Sequence, residues 1–188
     1  MNLDDIAKLT FQIGEGWAVT HAQRLLELIQ AIGPDTAYDA RVLALAAYMH
    51  DWGAFPRYTE KGVEHALRSR QVVEAEILPF LDLTQPAKEN LLEAIELHDY
   101  RDQRAPRSVE ALLLREADML EFLGMIGMAR EFARGPKDVT VCYRRILDRR
   151  AAIAGRFTLP RAQEIAEIRL ARMAQCLDWL TEEGLGNL

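Results

Sequence analysis

The chain has 188 residues, of which 49% are hydrophobic and 28% charged, and its formal net charge is −6. That length suffices to bury the core of one domain, and the composition is that of an ordinary globular protein and not of a disordered one. The acidic balance offers no surface-wide field for a nucleic-acid polymer, so an anionic partner would have to be met by a local cluster of arginines or lysines.

The pattern is helical nearly throughout, with no convincing period-two alternation. A first helix is predicted over residues 3–12 and a second from Gly16 to Ile32, ended by Gly33-Pro34. A third starts after Asp35 or Thr36 and runs through VLALAAYMHD to Gly53. AFPRYTEKG, residues 54–62, reads as a loop. The next helix carries VEHALRSRQVVEAEIL and stops before Pro79. Another begins near Pro86, a good first-turn residue, and carries AKENLLEAIELHDY. After the polar loop DQRAP, Ser108 caps one long helix ending near Gly135-Pro136. Two more follow, at about 138–153 and 160–183.

The expectation is an all-α protein of about seven to nine helices in a single irregular bundle. Its core spans about residues 15–135, with helices 138–183 packed on it. The longest apolar run, Val42 to Met49, is far below the ~20 residues that span a bilayer. The start, MNLDDIAKLTF, has acids where a signal peptide needs bases. A cytoplasmic location follows, and Cys142 and Cys176, which form no CxxC pair, are expected as reduced thiols. The last two helices carry apolar stripes (Ile146, Ile153; Ile165, Ile168, Met173, Leu177, Leu180) that would serve a homodimer or the monomer's own packing.

The four histidines, His21, His50, His65 and His98, each fall in a different predicted helix or at its end. Each alone has a bland reading. His21 could be a satisfied core residue, His65 a surface one, and His98 a cation suited to a helix C-terminus. Asp118 sits inside LLLREADMLEFL, where a carboxylate is costly unless paired or metal-bound; Arg115 one turn earlier could pair with it. Taken together the groups run H…HD…H…H…D, with about one helix and a loop between successive members. Neighbouring antiparallel helices that return to one centre produce that spacing. Imidazoles and carboxylates converging from several elements are what a divalent transition metal requires.

The ordered set, with the flanks HALRSR, LLREADMLEFLGMIGMAR and FTLPRAQEIAEIRLARM, resembles the HD-domain superfamily of metal-dependent phosphohydrolases. It is most similar to the small stand-alone bacterial members, some of which are nucleoside-triphosphate pyrophosphohydrolases. The resemblance covers roughly residues 15–183. It implies that His21, His50, Asp51 and Asp118 are the ligands of a core metal site. His65 and His98 match two further histidines that bind a second ion, bridged by the HD aspartate, in two-metal members. In single-metal members these two contact the substrate phosphate or donate a proton. The catalytic set implied is Asp51, His65 and His98. The cofactor implied is one or two divalent ions, Mn, Fe, Ni, Co or Zn, with Mg also admitted. The substrate implied is a small phosphorylated molecule, a nucleotide above all, and neither a membrane nor a nucleic-acid polymer is expected as a partner.

Two departures from the family's usual wording bear on the substrate. Many members read HD-x-G-K, whereas this chain reads HDWGAF; where others have DAD-R-L-D, it has EADMLEF. Candidates to supply the missing phosphate contact are Arg24, Arg57, Lys61, Arg68, Arg101 and Arg104. Trp52, Phe55 and Tyr58 could shape the pocket mouth or stack on a base, with core packing the plainer role for Trp52. The same six metal-binding positions also serve the superfamily's mixed-valent diiron oxygenases. A non-catalytic signalling module would be expected to have lost ligands.

Overall fold

The computed structural model describes every residue from Met1 to Leu188. It is all-α, with eight α-helices and no strand. They are α1 (Leu3–Ile32), α2 (Ala40–Met49), α3 (His65–Val72), α4 (Gln85–Leu97), α5 (Val109–Glu121), α6 (Gly124–Arg134), α7 (Val139–Ile153) and α8 (Pro160–Glu183). No helix is long and apolar enough to cross a membrane. Contacts divide the chain into two compact units, Met1–Ala117 and Asp118–Leu188.

In the first unit α1 opens on a capping box. The Asn2 side chain accepts from the Asp5 N–H and the Asp5 carboxylate accepts from the Asn2 N–H. The two helices predicted over 3–12 and 16–32 are one element bent at Glu15, whose φ of 58° and ψ of −171° lie in a region that costs a non-glycine residue about 1–3 kcal/mol. The glycine before the bend makes room for Phe55, because a Cβ on Gly14 would sit 2.5 Å from its Cζ. The third helix starts later than expected, because Asp39 and not Asp35 caps it, accepting from the N–H groups of Arg41 and Val42. It also ends earlier, at Met49, and Trp52–Ala54 form a separate 3₁₀ turn. After α3 the chain widens into a π turn (Val73–Ile77) and then tightens into a 3₁₀ turn (Leu78–Phe80).

Buried Leu and Ile side chains of α1, α2, α4 and α5 (Leu25, Ile29, Leu43, Leu45, Leu91, Ile95, Leu113, Leu114) form the core. Within it α1 packs on α2, α2 on α4, and α3 on both α4 and the 3₁₀ turn. Ser108 caps α5 as expected, accepting from the Ala111 N–H. The predicted long helix does not continue to residue 133. Its first part stops at Glu121, and α6 begins at Gly124, whose φ of 70° a helix interior cannot accept.

In the second unit α6 packs on α7 and α8. Its buried carboxylate, Glu131, is met by Arg149 at 2.9 Å and Arg145 at 3.6 Å. Ile146, Ile153, Met173 and Leu177 from the apolar stripes are buried, whereas Ile168 is exposed. Cys142 is buried, Cys176 is partly exposed, and neither forms a disulfide.

Two contacts position the functional residues, and each yields a prediction. The Gly53 N–H donates to Ser69 Oγ at 2.8 Å, and that hydroxyl donates to the His65 carbonyl at 2.9 Å. A Cβ on Gly53 would run into the His65 carbonyl oxygen and lie 2.6 Å from the Ser69 nitrogen. Gly53→Ala is therefore expected to destabilise the protein by at least about 1–3 kcal/mol in denaturant titration; wild-type stability would contradict this packing. Glu93 accepts from the backbone N–H groups of Arg107 and Ser108 and from the Arg107 guanidinium, tying the 98–108 loop to α4. Burial pushes its carboxyl up, but these donors outweigh it and hold the group at about 2, against an ordinary 4.5. The depressed folded value means that its stabilisation is present above about pH 4.5 and is lost as pH falls toward 2. Glu93→Gln should flatten the acid limb of the stability–pH curve in that window, and an unchanged slope would refute the linkage.

Candidate metal centre

The last carbonyls of a helix have no partner along the helix. At the end of α2 the Ala47 oxygen accepts from His50 Nδ1 at 2.9 Å, and at the end of α4 the Ile95 oxygen accepts from His98 Nδ1 at 2.7 Å. A carbonyl can only accept, so each ring carries a proton on Nδ1 and turns Nε2 away from its own helix end. Burial pushes the His50 imidazole below its ordinary value and outweighs the pull of Asp51, which keeps the ring neutral. His21 is buried on α1, and His65 is the first residue of α3. The four rings run side by side: centroids lie 5.2 Å apart for His21–His50, 4.7 Å for His50–His98 and 5.1 Å for His65–His98.

Asp51 stands among them and divides its two oxygens. Oδ2 lies 3.4 Å from His50 Nε2 and 4.0 Å from His21 Nε2. Oδ1 lies 3.4 Å from His65 Nε2 and 3.5 Å from His98 Nε2. Two triads share it, His21–His50–Asp51 and Asp51–His65–His98, and in each the donor atoms lie within 4.8 Å of one another. Burial alone would raise the Asp51 carboxyl. The imidazoles of His50, His65 and His98 outweigh it and hold the group well below the usual carboxylate range, so it is ionised.

A metal fits this arrangement on two observations. Nε2 of His50 is buried with no hydrogen-bond partner, a costly state for a nitrogen lone pair that a cation would relieve. The donors are imidazole nitrogens with a carboxylate, the set that suits a divalent transition ion. The Nδ1–H···O=C bonds of His50 and His98 are the outer contacts that orient metal-binding histidines.

The remaining expected residues are distributed unevenly. Asp118 is buried on α5 and opens the second unit. Arg101 reaches the cluster: its guanidinium is paired with both oxygens of Asp99, and Nη2 lies 3.4 Å from His65 Nδ1. Asp99 is raised by burial, but its pairing with Arg101 wins and holds it below its ordinary value. Arg68 is engaged elsewhere, donating to the Tyr58 carbonyl at 2.8 Å and facing Glu60 at 3.4 Å. Arg104 is held by Asp102 and Glu96, and Arg57 lies over the Tyr58 ring at 5.2 Å. Lys61 is exposed, and Arg24 is half-buried one turn after His21.

Trp52 is only 1% exposed, stacks on Tyr58 at 5.9 Å and donates from Nε1 to Thr10 Oγ1 at 3.0 Å, so its role is packing. Phe55 lines a small cavity with His21, His50, Asp51, Tyr48 and Trp17. Sequence reasoning passed over Trp17 and Asp99. Both had a signal: Trp17 precedes His21 by one helical turn, and His98-Asp99 is a second His-Asp pair.

The HD domain family model matches residues 18–123. No curated protein matches the chain. Among solved structures, Bacillus subtilis YpgQ in complex with ADP aligns over 97% of both chains with a TM-score of 0.72 at 20% identity. A predicted HD superfamily hydrolase from an uncultured Thermotogales bacterium aligns over 96% of this chain and 90% of its own, with a TM-score of 0.66 at 22% identity. An HD-superfamily hydrolase from Bacillus thuringiensis aligns over 96% of this chain and 95% of its own, with a TM-score of 0.65 at 18% identity. These likenesses establish a shared fold among small stand-alone proteins. Since the family model covers more than half of its residues, the chain belongs to the HD domain family.

Proposed function

We propose that this protein is a metal-dependent phosphohydrolase that cleaves a phosphoester or phosphoanhydride bond of a small phosphorylated metabolite, a nucleotide above all. The observation that carries this is the ionised Asp51 carboxylate facing one histidine pair with each oxygen. His21, His50 and Asp51 would hold the ion, and the family resemblance adds Asp118. A divalent ion held there supplies a water acidified toward neutral pH and offsets the charge that builds on phosphoryl oxygens. Asp51 orients the attacking water through the oxygen not engaged with His50. B. subtilis YpgQ, of the same fold, was crystallised with ADP, which supports the nucleotide class.

We assign His65 to the phosphate. Its Nδ1 faces the Arg101 guanidinium, a donor only, so the proton belongs on Nε2. From Nε2 it can hydrogen-bond a phosphoryl oxygen or protonate the leaving oxygen. His98 Nε2, 3.2 Å away, accepts from it in the absence of substrate. Arg101, fixed by Asp99, supplies the cation that the missing lysine of HD-x-G-K would otherwise provide. This cation beside a proton-bearing histidine favours phosphate chemistry over the diiron oxygenase reading, in which both histidines would be ligands.

Two experiments test these assignments. Metal added at about 100-fold over its Kd should stabilise the fold by about 2.7 kcal/mol. For a chain of this size that is a rise in Tm on the order of 5–10 °C, abolished by chelator and absent in His50→Ala and Asp51→Ala. Retention of metal by both variants would overturn the site. In a screen of nucleotides and phosphate esters with Mn²⁺, Co²⁺, Ni²⁺ and Mg²⁺, phosphate or pyrophosphate release is expected. His65→Ala should keep the metal and lose about 10²–10⁴-fold in rate. Loss of metal in that variant would make His65 a ligand, and oxygen uptake without phosphate release would favour the oxygenase.

A further inference from the structure

The cavity beside the first triad is about the size of one water molecule, and a half-exposed aromatic ring borders it. Trp17 is 51% exposed, yet it lines the same cavity as His21, His50 and Asp51. It precedes His21 by four residues on α1, so the two side chains share a helix face about 6 Å apart along the axis. Its neighbours hold the half-exposed indole in place. Phe55, buried, meets the Trp17 ring edge-on at 5.4 Å and 62°. Phe55 is itself seated against Gly14, where any side chain would collide with its ring. The bend at Glu15 falls between that seat and Trp17. The indole is therefore braced by Phe55 while half of its surface stays in water.

We propose that Trp17 is the specificity-determining platform on which the planar base of a nucleotide substrate stacks, with the phosphates directed toward Asp51 and Arg101. This rests on the phosphohydrolase reading above and names what selects its substrate. An indole face gives every base a stacking partner, so it selects nucleotides over phosphate esters that carry no base, with only a modest preference among bases. Trp52 cannot take this role because it is buried against Tyr58, and Trp179 lies on α8, outside the cavity lining.

The test compares ligands that share phosphates and differ in the base. Equilibrium binding of α,β-methylene-ATP and of inorganic tripolyphosphate is measured in the presence of Mn²⁺ for wild type, Trp17→Ala and Trp17→Phe. Removing the indole should weaken the nucleotide analogue by about tenfold or more and leave tripolyphosphate unchanged. Trp17→Phe should recover most of the loss. The variants are expected to fold, since half of the side chain is already in water. Equal weakening of both ligands, or of neither, overturns the proposal. So does a change in oligomeric state with unchanged nucleotide affinity, which would make Trp17 a contact for a second copy. Wild type that binds tripolyphosphate but not the analogue also overturns it while leaving phosphohydrolysis standing. Wild type that binds the analogue with a Trp17-dependent affinity but hydrolyses nothing sustains the platform and rejects the phosphohydrolase reading.

Discussion

The site depends on two hydrogen bonds made at helix ends. Helices α2 and α4 each finish with a carbonyl that needs a donor, and in each case the histidine just past the helix supplies it from Nδ1. The bond that completes the helix also fixes the tautomer and turns Nε2 of His50 and His98 inward. A single element of local structure thereby satisfies the backbone and orients Nε2 of each ring.

Asp51 then links the two halves of the cluster, and its placement is enforced from outside. The 3₁₀ turn that follows it is tied to α3 through Gly53, Ser69 and the His65 carbonyl. The approach is so close that only glycine fits. The same contact that shapes the HD turn therefore sets the position of His65. On the far side, Asp99 aligns Arg101 against His65, so the cation, the imidazole and the carboxylate form a continuous series. Phosphoryl transfer asks mainly for such positioning and charge stabilisation.

The helices and the histidine cluster were legible in the sequence because both are spelled by residue type and spacing. His21, His50, Asp51, His65 and His98 look ordinary singly, and their common order carried the meaning. What the sequence did not disclose was decided by tertiary geometry. Gly124 sits in an apolar pattern that reads as continuous helix, and only its positive φ shows the break. Arg68, Arg101 and Arg104 are equivalent as letters. Their neighbours separate them: Arg68 is taken up by a backbone carbonyl, Arg104 by two carboxylates, and Arg101 alone is aimed at His65. Core packing was the plainer role for Trp52 in the sequence, and its burial agrees; Trp17, passed over, lies half-exposed beside His21, His50 and Asp51.

The central claim is that imidazoles of the HD cluster and the Asp51 carboxylate bind a metal directly. X-ray absorption spectroscopy at the edge of bound Co²⁺ or Mn²⁺ tests it most directly. The account predicts the outer-shell scattering of coordinated imidazole together with oxygen ligands, reduced by His50→Ala. A spectrum with oxygen ligands alone, unchanged by that substitution, would contradict it.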